Sequence, residues 1–236
     1  MEPQANDGSE PVSQDSLVEA IARYEVKLPP DQVDRLDHYC RLLWEWNEKI
    51  NLTRHTDYER FVARDLVDAL SFARFLERRE RVLDVGSGGG VPGVVLAIVR
   101  SDLRLALSES VGKKARVLQD IVARLELSTP VHHARAEDLL REKRFDSLVV
   151  RAVAPLRKLL DWFQPYWGQF GRMLVMKGPA WSEERGEARH HGLMRDLALR
   201  KLDEYPLPGT DSKSVLLQIC PKSQLDRYAQ ADKADE

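Results

Sequence analysis

Four glycines within the five residues 86–90 follow a short apolar run, and this turn constrains the fold more than any other feature. Residues 82–85 (VLDV) have the apolar, branched character of a buried strand, and Pro92 opens a helix-like segment after the turn. Glycine permits positive φ and lets a ligand approach the backbone closely. In an open α/β sheet, the turn after the first strand is where a nucleotide-like cofactor binds. A tight turn without a ligand is the alternative, which this density of glycine disfavours.

Two cofactor types compete for this turn. The spacing Gly88-x-Gly90-x-x-Gly93 matches the dinucleotide pattern, in which a helix N-terminus binds a pyrophosphate. Asp84 favours a cofactor without phosphates, since a carboxylate suits the ammonium and sulfonium charges of S-adenosylmethionine. The next strand ends at Glu109, whose carboxylate can accept the ribose hydroxyls of either cofactor. Only 143 residues follow Gly93, enough for one sheet but not for an added catalytic domain, and we therefore predict a methyltransferase.

Short β-branched runs alternate with helix-like segments from residue 81 onward. The runs cover residues 81–85, 103–107, 147–151, 172–176 and 214–220, and the helical segments lie near 92–100, 112–125, 155–163 and 182–198. This alternation predicts an α/β fold with a doubly wound, mostly parallel, Rossmann-like sheet. A Pro-containing loop joins a run near 200–205 to 214–220, which predicts an antiparallel edge strand.

Four regions follow from the composition along the chain. Residues 1–16 carry four acidic and no basic side chains, which predicts a disordered acidic tail. Residues 17–78 form an N-terminal helical extension, with helices after Pro29 and over about 57–76. Residues 79–221 form the cofactor-binding methyltransferase domain, and residues 222–236 form a polar, frayed tail.

The net charge of −2 conceals a charge of +3 for residues 17–221, because both predicted tails are acidic. A near-neutral total therefore does not exclude a polyanionic partner. The two cysteines give no disulfide framework. No apolar run reaches 18 residues and no signal pattern is present, so we expect a cytoplasmic protein without a membrane span. Two adjacent histidine pairs lack a completing ligand, and we predict no metal site.

Six segments together resemble the bacterial methyltransferase G family, also called glucose-inhibited division protein B. They are WNEKINLT (46–53), LDVGSGGGVPG (83–93), ESVGKKARVL (109–118), ARAEDL (134–139), FDSLVVRAVAPL (145–156) and MKG (176–178). The resemblance runs from about Leu28 to Cys220, in order. It implies an S-adenosylmethionine-dependent enzyme that methylates N7 of a guanosine in 16S ribosomal RNA of the small subunit, which we expect to act as a monomer.

The resemblance also implies roles for individual residues. Those implied to line the cofactor are Gly86, Gly88, Val91, Glu109, Ala136, Glu137 and Arg151. Those implied as catalytic are Arg151, Lys177 and Arg135, and the predicted RNA-binding residues are Lys113, Lys114, Arg116 and Arg64. A solvated surface charge remains the alternative for Lys114. Trp44 and Trp46 could offer a base-stacking platform, although core packing is favoured for at least one of them.

Guanine N7 is an unprotonated acceptor, so its methylation needs alignment rather than a general base. The sequence agrees, because it shows no Ser-His-Asp or Cys-His arrangement. It departs from the family where Arg-His-x-x-Asp-Ser is usual, since Asp65 replaces the His and Ala69 the Ser. An added carboxylate near RNA would weaken binding, while Asp68 is expected to cap or orient the glycine turn. Two alternatives therefore stay open: a methyltransferase acting on a small molecule or protein, and a catalytically weak cofactor-binding module on the ribosome.

Overall fold

A computed structural model describes residues 16–229 as a seven-stranded sheet with helices on both faces. The strands are β1 (Arg81–Val85), β2 (Arg104–Ser108), β3 (Val131–His132), β4 (Ser147–Arg151), β5 (Arg172–Lys177), β6 (Leu197–Pro206) and β7 (Lys213–Pro221). The helices are α1 (Leu17–Arg23), α2 (Pro30–Asn47), α3 (Tyr58–Arg60), α4 (Val67–Arg74), α5 (Gly93–Val99), α6 (Gly112–Arg124), α7 (Ala136–Leu139), α8 (Leu156–Phe163), α9 (Trp181–His190) and α10 (Leu225–Ala229). The predicted acidic tail lies outside the described residues, apart from Ser16, which caps α1.

The strand order is β3-β2-β1-β4-β5-β7-β6. Strands β1 to β5 run parallel, and β7 pairs antiparallel with both β5 and β6. This is the predicted doubly wound, mostly parallel, Rossmann-like sheet, with its antiparallel strand one place in from the edge. Because β1, β2, β4 and β5 are parallel, their carboxyl ends meet along one edge, where Arg151 and Lys177 end β4 and β5.

Side chains alternate across β1 and thereby join different layers. Val82 belongs to the core cluster shared with α2, α4, α5 and α6, whereas Leu83 and Val85 belong to the cluster on the opposite face. Asp84 therefore points toward the α5 layer, and the backbone N–H of Gly93 at the start of α5 donates to its Oδ2 at 3.1 Å. This alternation decides where the acid before the glycine turn lies.

The N-terminal helices share one core cluster with the sheet. The segment predicted as a helix over 57–76 is α3 followed by a π-helical segment, Phe61–Leu66, and then α4. Tyr39 of α2 donates its hydroxyl to the carbonyl of Gly89 at 3.0 Å, so the extension packs directly on the glycine turn.

Both tryptophans of α2 are used in packing. The Trp44 indole N–H donates to the carbonyl of His55 at 2.8 Å. The Trp46 indole N–H donates to Asp120 of α6, also at 2.8 Å, and so ties the extension to the sheet's outer helix. The structure thus favours packing over the stacking platform for both rings.

The helix predicted over 182–198 was too long. Helix α9 ends at His190, and β6 begins at Leu197. Gly192 adopts φ +73°, while its N–H donates to Arg189 and the N–H of Leu193 donates to Ala188. This paired arrangement is a Schellman motif, which terminates the helix.

The C-terminal segment was predicted to fray after residue 221, and its described part does not. Residues Lys222–Gln224 form a 3-10 turn and α10 follows. Tyr228 is only 2% exposed, and the Arg172 guanidinium lies 4.5 Å from its ring centroid. Residues 222–229 therefore pack against the sheet, because one aromatic side chain covers the buried arginine.

Candidate functional site

The glycine turn crosses the carboxyl end of β1. Gly86, Gly88 and Gly90 adopt φ values of +66°, +57° and +109°, which other residues rarely adopt. A Cβ on Gly88 would meet only open space beyond the carbonyl of Gly86, 3.8 Å away. The turn therefore presents bare backbone to the space above the sheet edge. Val91, the next residue, is half-buried.

Glu109 closes this turn from the end of β2. Its side chain is buried, its Oε2 accepts from the backbone N–H of Gly88 at 2.9 Å, and its Oε1 accepts from Val111 at 2.7 Å. Two backbone donors therefore hold the carboxylate beside the glycines, while its predicted contact with ribose hydroxyls stays a prediction. The sequence analysis did not name Val111 as a residue of this site. It is 42% exposed here. Its one signal in the sequence was its place after the acid at the end of a strand.

We expected the Asp84 carboxylate to face a cofactor in the space above the turn. The structure shows that it does not. Its residue is 1% exposed, and burial raises the pKa of its carboxyl to about 7. No hydrogen-bond partner for its Oδ1 lies among the described residues. Asp84 therefore supports the turn from below, through the N–H of Gly93, instead of offering charge to a ligand.

Arg151 at the end of β4 is held by two buried carboxylates. Its Nε donates to Asp68 Oδ2 and its Nη2 donates to Asp65 Oδ1, both at 2.7 Å. Burial alone would lower the pKa of the guanidinium, but the two carboxylates raise the pKa above its usual value. The arginine is therefore fixed and charged at the sheet edge, with its side chain 19% exposed.

Asp68 serves Arg151, contrary to the expectation that it orients the glycine turn. Its Oδ1 accepts from the Tyr205 hydroxyl at 2.5 Å and from the Ser214 hydroxyl at 3.0 Å. Burial, then the neighbouring Asp68 charge, raises the pKa of Tyr205 far above its usual range. Strands β6 and β7 thus stabilise a carboxylate of the N-terminal block.

Asp65, which departs from the family pattern, contacts His55 as well as Arg151. Its Oδ2 lies 3.0 Å from Nδ1 of His55, while Oδ1 binds Arg151. The Asp65 side chain is only 3% exposed. The extra carboxylate therefore faces the Arg151 guanidinium and the His55 imidazole rather than solvent.

Lys177 lies on the strand next to Arg151, but its ammonium is occupied. Its Nζ contacts Glu184 Oε2 of α9 and donates to the carbonyl of Ala154, each at 2.7 Å. The side chain is only 11% exposed. Lys177 therefore holds the loop after β4 against α9 instead of projecting freely.

Arg135 and Glu137, implied for different roles, bind each other. The Arg135 Nη2 donates to Glu137 Oε1 at 2.8 Å, and the guanidinium lies 5.7 Å from the Trp162 ring centroid. Ala136 between them is buried at the start of α7. The three residues follow β3, next to β2, so they border the same sheet edge as Glu109.

The remaining implied cations lie on the outer surface of this region. Lys113 and Arg116 on α6 are exposed, and Lys114 is half-buried. Arg64 is half-buried on the π-helical segment. None of these four makes a hydrogen bond or ion pair with a side chain of residues 16–229, so all four remain available to an anion.

Within residues 16–229 no group of three or more histidine, cysteine, aspartate or glutamate side chains is arranged for a metal ion. No helix in the same range is long and apolar enough to cross a bilayer. Cys40 and Cys220 are both buried, and burial raises the pKa of each thiol.

Comparison with known proteins assigns this arrangement to a family. The profile of rRNA small subunit methyltransferase G matches residues 32–204. The chain belongs to the rRNA small subunit methyltransferase G family. It is 50% identical over 188 residues to the Rhodopirellula baltica member, covering 80% of this chain and 81% of that protein. It is 40% identical over 204 residues to a Pseudomonas aeruginosa member, covering 86% and 93%.

Two solved structures share the fold of this family member. A mutant of MtNAS in complex with S-adenosylmethionine superposes with a TM-score of 0.51 at 17% identity, covering 89% of this chain and 86% of that one. TrmK of M. capricolum, in complex with S-adenosyl-homocysteine, gives a TM-score of 0.52 at 10% identity, covering 66% and 68%. At such identities the likeness concerns the fold alone.

Proposed function

We propose that this chain transfers a methyl group from S-adenosylmethionine to N7 of a guanosine in 16S ribosomal RNA of the small subunit. One observation carries the proposal beyond family membership: a bare glycine turn and the buried Glu109 lie along the same sheet edge as a fixed, charged Arg151. The glycine turn and Glu109 suit a nucleoside cofactor, and the fixed guanidinium of Arg151 suits the alignment of a base or phosphate of the substrate.

The residues of the turn fit S-adenosylmethionine. At Gly88 the positive φ and the open surroundings leave room for a ligand that a side chain would fill, whereas a Cβ on Gly86 would meet Val153 at 3.0 Å. Glu109 would accept the ribose hydroxyls through lone pairs that its backbone partners leave free, and the exposed Val111 would cover the adenine. Val91, Ala136 and Glu137 would complete the walls. When bound, the cofactor supplies an electrophilic methyl group on a sulfonium centre.

The chain's task is then alignment. Guanine N7 carries an available lone pair on the base edge, so no side chain has to remove a proton. Holding the two reactants in line is worth up to about 7–11 kcal/mol of the barrier. Arg151 is suited to this task because two buried carboxylates fix its guanidinium, and a fixed cation loses little entropy when a base or phosphate binds.

Cations around the mouth would bind the RNA backbone. Lys113, Lys114 and Arg116 lie on the first turns of α6, immediately after the strand-end segment of Glu109, and Arg64 lies on the opposite side near Asp65. We propose Arg135 and Lys177 as contacts that orient the target base. Since their charges are engaged by Glu137 and Glu184, they would act as positioned hydrogen-bond donors more than as free charges.

The negative charge of Asp65 suggested weaker RNA binding, but its contacts in the structure reduce this objection to the proposal. A free carboxylate near RNA would favour a small-molecule or protein substrate, or a binding module without turnover. The contacts to Arg151 and His55 hold that carboxylate inside the protein, away from bound RNA. The RNA methyltransferase therefore remains the function that the site supports best.

Methyl transfer from labelled S-adenosylmethionine onto small subunits from a strain lacking the gene tests the proposal. We expect one labelled 7-methylguanosine in the 16S RNA. Label in protein, or none in RNA while cofactor binds normally, would refute it. Because that substrate is ribosomal, we also propose a cytoplasmic location. A monomer is supported by completion of the sheet and both core clusters within one chain, and light scattering would test it.

A further inference from the structure

A basic cavity of about 560 Å³ opens beside the Arg151 network, between the N-terminal helices and the β6–β7 loop. Three arginines line it, namely Arg54, Arg60 and Arg64, together with His55. The cavity lies outside the glycine turn, and none of its arginines takes part in holding Arg151. A concave surface with this density of guanidinium groups is suited to an anion.

The acid in the cavity wall does not neutralise these arginines. Glu59 contacts Arg23 at 2.6 Å and accepts from the Tyr24 hydroxyl at 2.6 Å, so its charge is balanced by the first helix. Arg54 and Arg64 form no hydrogen bond or ion pair with a side chain of residues 16–229. Arg60 pairs with Asp57 at 3.4 Å, so the positive excess that no described side chain balances comes from Arg54 and Arg64.

Arg64 is the informative residue, because it is half-buried without a counter-ion. A partly desolvated charge without a partner is unfavourable, and an incoming anion would offset that cost. The residue lies in the π-helical segment, a rare form that occurs mostly at functional sites. Within that segment Asp65 is buried against Arg151, while its neighbour Arg64 lines the cavity.

One histidine connects the cavity to the site. His55 lines the cavity, and its Nδ1 lies 3.0 Å from Asp65, whose other oxygen accepts from Arg151. The cavity and the Arg151 guanidinium are thus separated by a single His–Asp pair. An RNA strand whose target base reached Arg151 would therefore bring a neighbouring nucleotide near the cavity.

We infer that this cavity binds a backbone phosphate of the RNA strand, next to the target guanosine, through Arg54 and Arg64. The inference rests on the proposed function and extends it to the flanking strand. Guanidinium groups match the geometry of phosphate oxygens and can bind them in pairs. The contact would hold the strand in register without reading its bases.

The test compares RNA binding by the full chain with that of the double variant Arg54→Ala, Arg64→Ala. Filter binding to small subunits from a strain lacking the gene is measured across a salt series. Loss of one single-strand phosphate contact lowers the slope of log affinity against log salt by about 0.7, equal to about fivefold weaker binding at 0.1 M salt. Cofactor affinity, measured by calorimetry without RNA, is expected to equal that of the unmodified chain.

Two further variants make the result decisive. Arg78→Ala removes an exposed arginine close to the opposite sheet edge and is expected to leave slope and affinity unchanged. Arg64→Lys keeps the charge and is expected to keep most of the salt slope. A double variant with the slope of the unmodified chain, or one that loses cofactor binding as well, overturns the inference. If the unmodified chain methylates the RNA while the slopes agree, only the cavity assignment fails; absence of RNA methylation by the unmodified chain refutes the proposed function itself.

Discussion

Replacing Asp68 by alanine removes a carboxylate that three side chains share. Arg151 then keeps only Asp65, and the hydroxyls of Tyr205 and Ser214 lose their acceptor. Because the Asp68 side chain is only 7% exposed, water does not readily replace the lost carboxylate oxygens. The variant therefore tests whether the arginine depends on its carboxylates for position.

The size of the effect follows from burial. Removing one partner of a buried ion pair costs about 3–5 kcal/mol, because the other charge stays desolvated. Asp65 still balances Arg151, and we therefore expect the lower end, about 3 kcal/mol, in the free energy of unfolding. In a double-mutant cycle of Asp68→Ala with Arg151→Met, the double variant should lose about 2 kcal/mol less stability than the sum of the two single variants. The exposed pair Arg124–Glu45 serves as the control, where coupling should stay below about 1 kcal/mol.

Urea denaturation supplies the four free energies of the cycle, and initial rates supply the functional readout. Asp68→Asn keeps the shape of the side chain but not its charge, so turnover should fall about ten- to hundredfold, since a hydrogen bond to a charged group is worth about 1.5–3 kcal/mol. The KM for cofactor should change little. A coupling energy equal to that of the surface pair, or normal turnover of Asp68→Asn, would refute the reasoning that these carboxylates position Arg151.

Three other substitutions probe the site and its support. Because burial raises the pKa of Asp84 to about 7, the folded protein binds a proton more tightly than the unfolded chain. The free energy of unfolding, taken relative to that of Asp84→Asn, should therefore fall by up to about 4 kcal/mol as the pH rises from 4 to 7. Urea titration at each pH measures it. Gly88→Asp should weaken cofactor binding more than 100-fold by calorimetry, whereas Gly192→Asp, at a similar positive φ with open space around it, should not. Glu80→Ala should lower the free energy of unfolding by about 3–5 kcal/mol, since it leaves Arg172 buried without its carboxylate, while cofactor affinity is retained; an unchanged unfolding midpoint would contradict this.

The sequence predicted those elements that depend on residues adjacent in the chain. The glycine turn and the acid ending β2 were found from the sequence because glycine density and strand period depend on adjacent residues. Strand β3 was missed, since it has only two residues and no apolar run. The extent of the last long helix was wrong because Gly192 ends it through a backbone conformation that a moderately polar pattern does not reveal.

Orientation and pairing needed the folded chain. The direction of Asp84 depends on which sheet face α5 covers, and sequence alone had placed its carboxylate against the cofactor. The partners of Arg151 lie 83 and 86 residues earlier in the chain, too far for any spacing rule to connect them. The contact between Lys177 and Glu184 is close in sequence, but it depends on how α9 packs back against the sheet.

The cations near the sheet edge divide into two groups with different physical roles. Arg151, Lys177 and Arg135 are bound by carboxylates, so each is held in place and contributes little net field. Long-range attraction of a polyanion would then come from cations without such partners, on α6 and, as Arg54 and Arg64, in the basic cavity. Increasing salt should therefore weaken RNA encounter through the second group first, since screening acts most on exposed charges and least on buried pairs. Under the proposed function, one set of cations would attract the RNA and the other would align the target base.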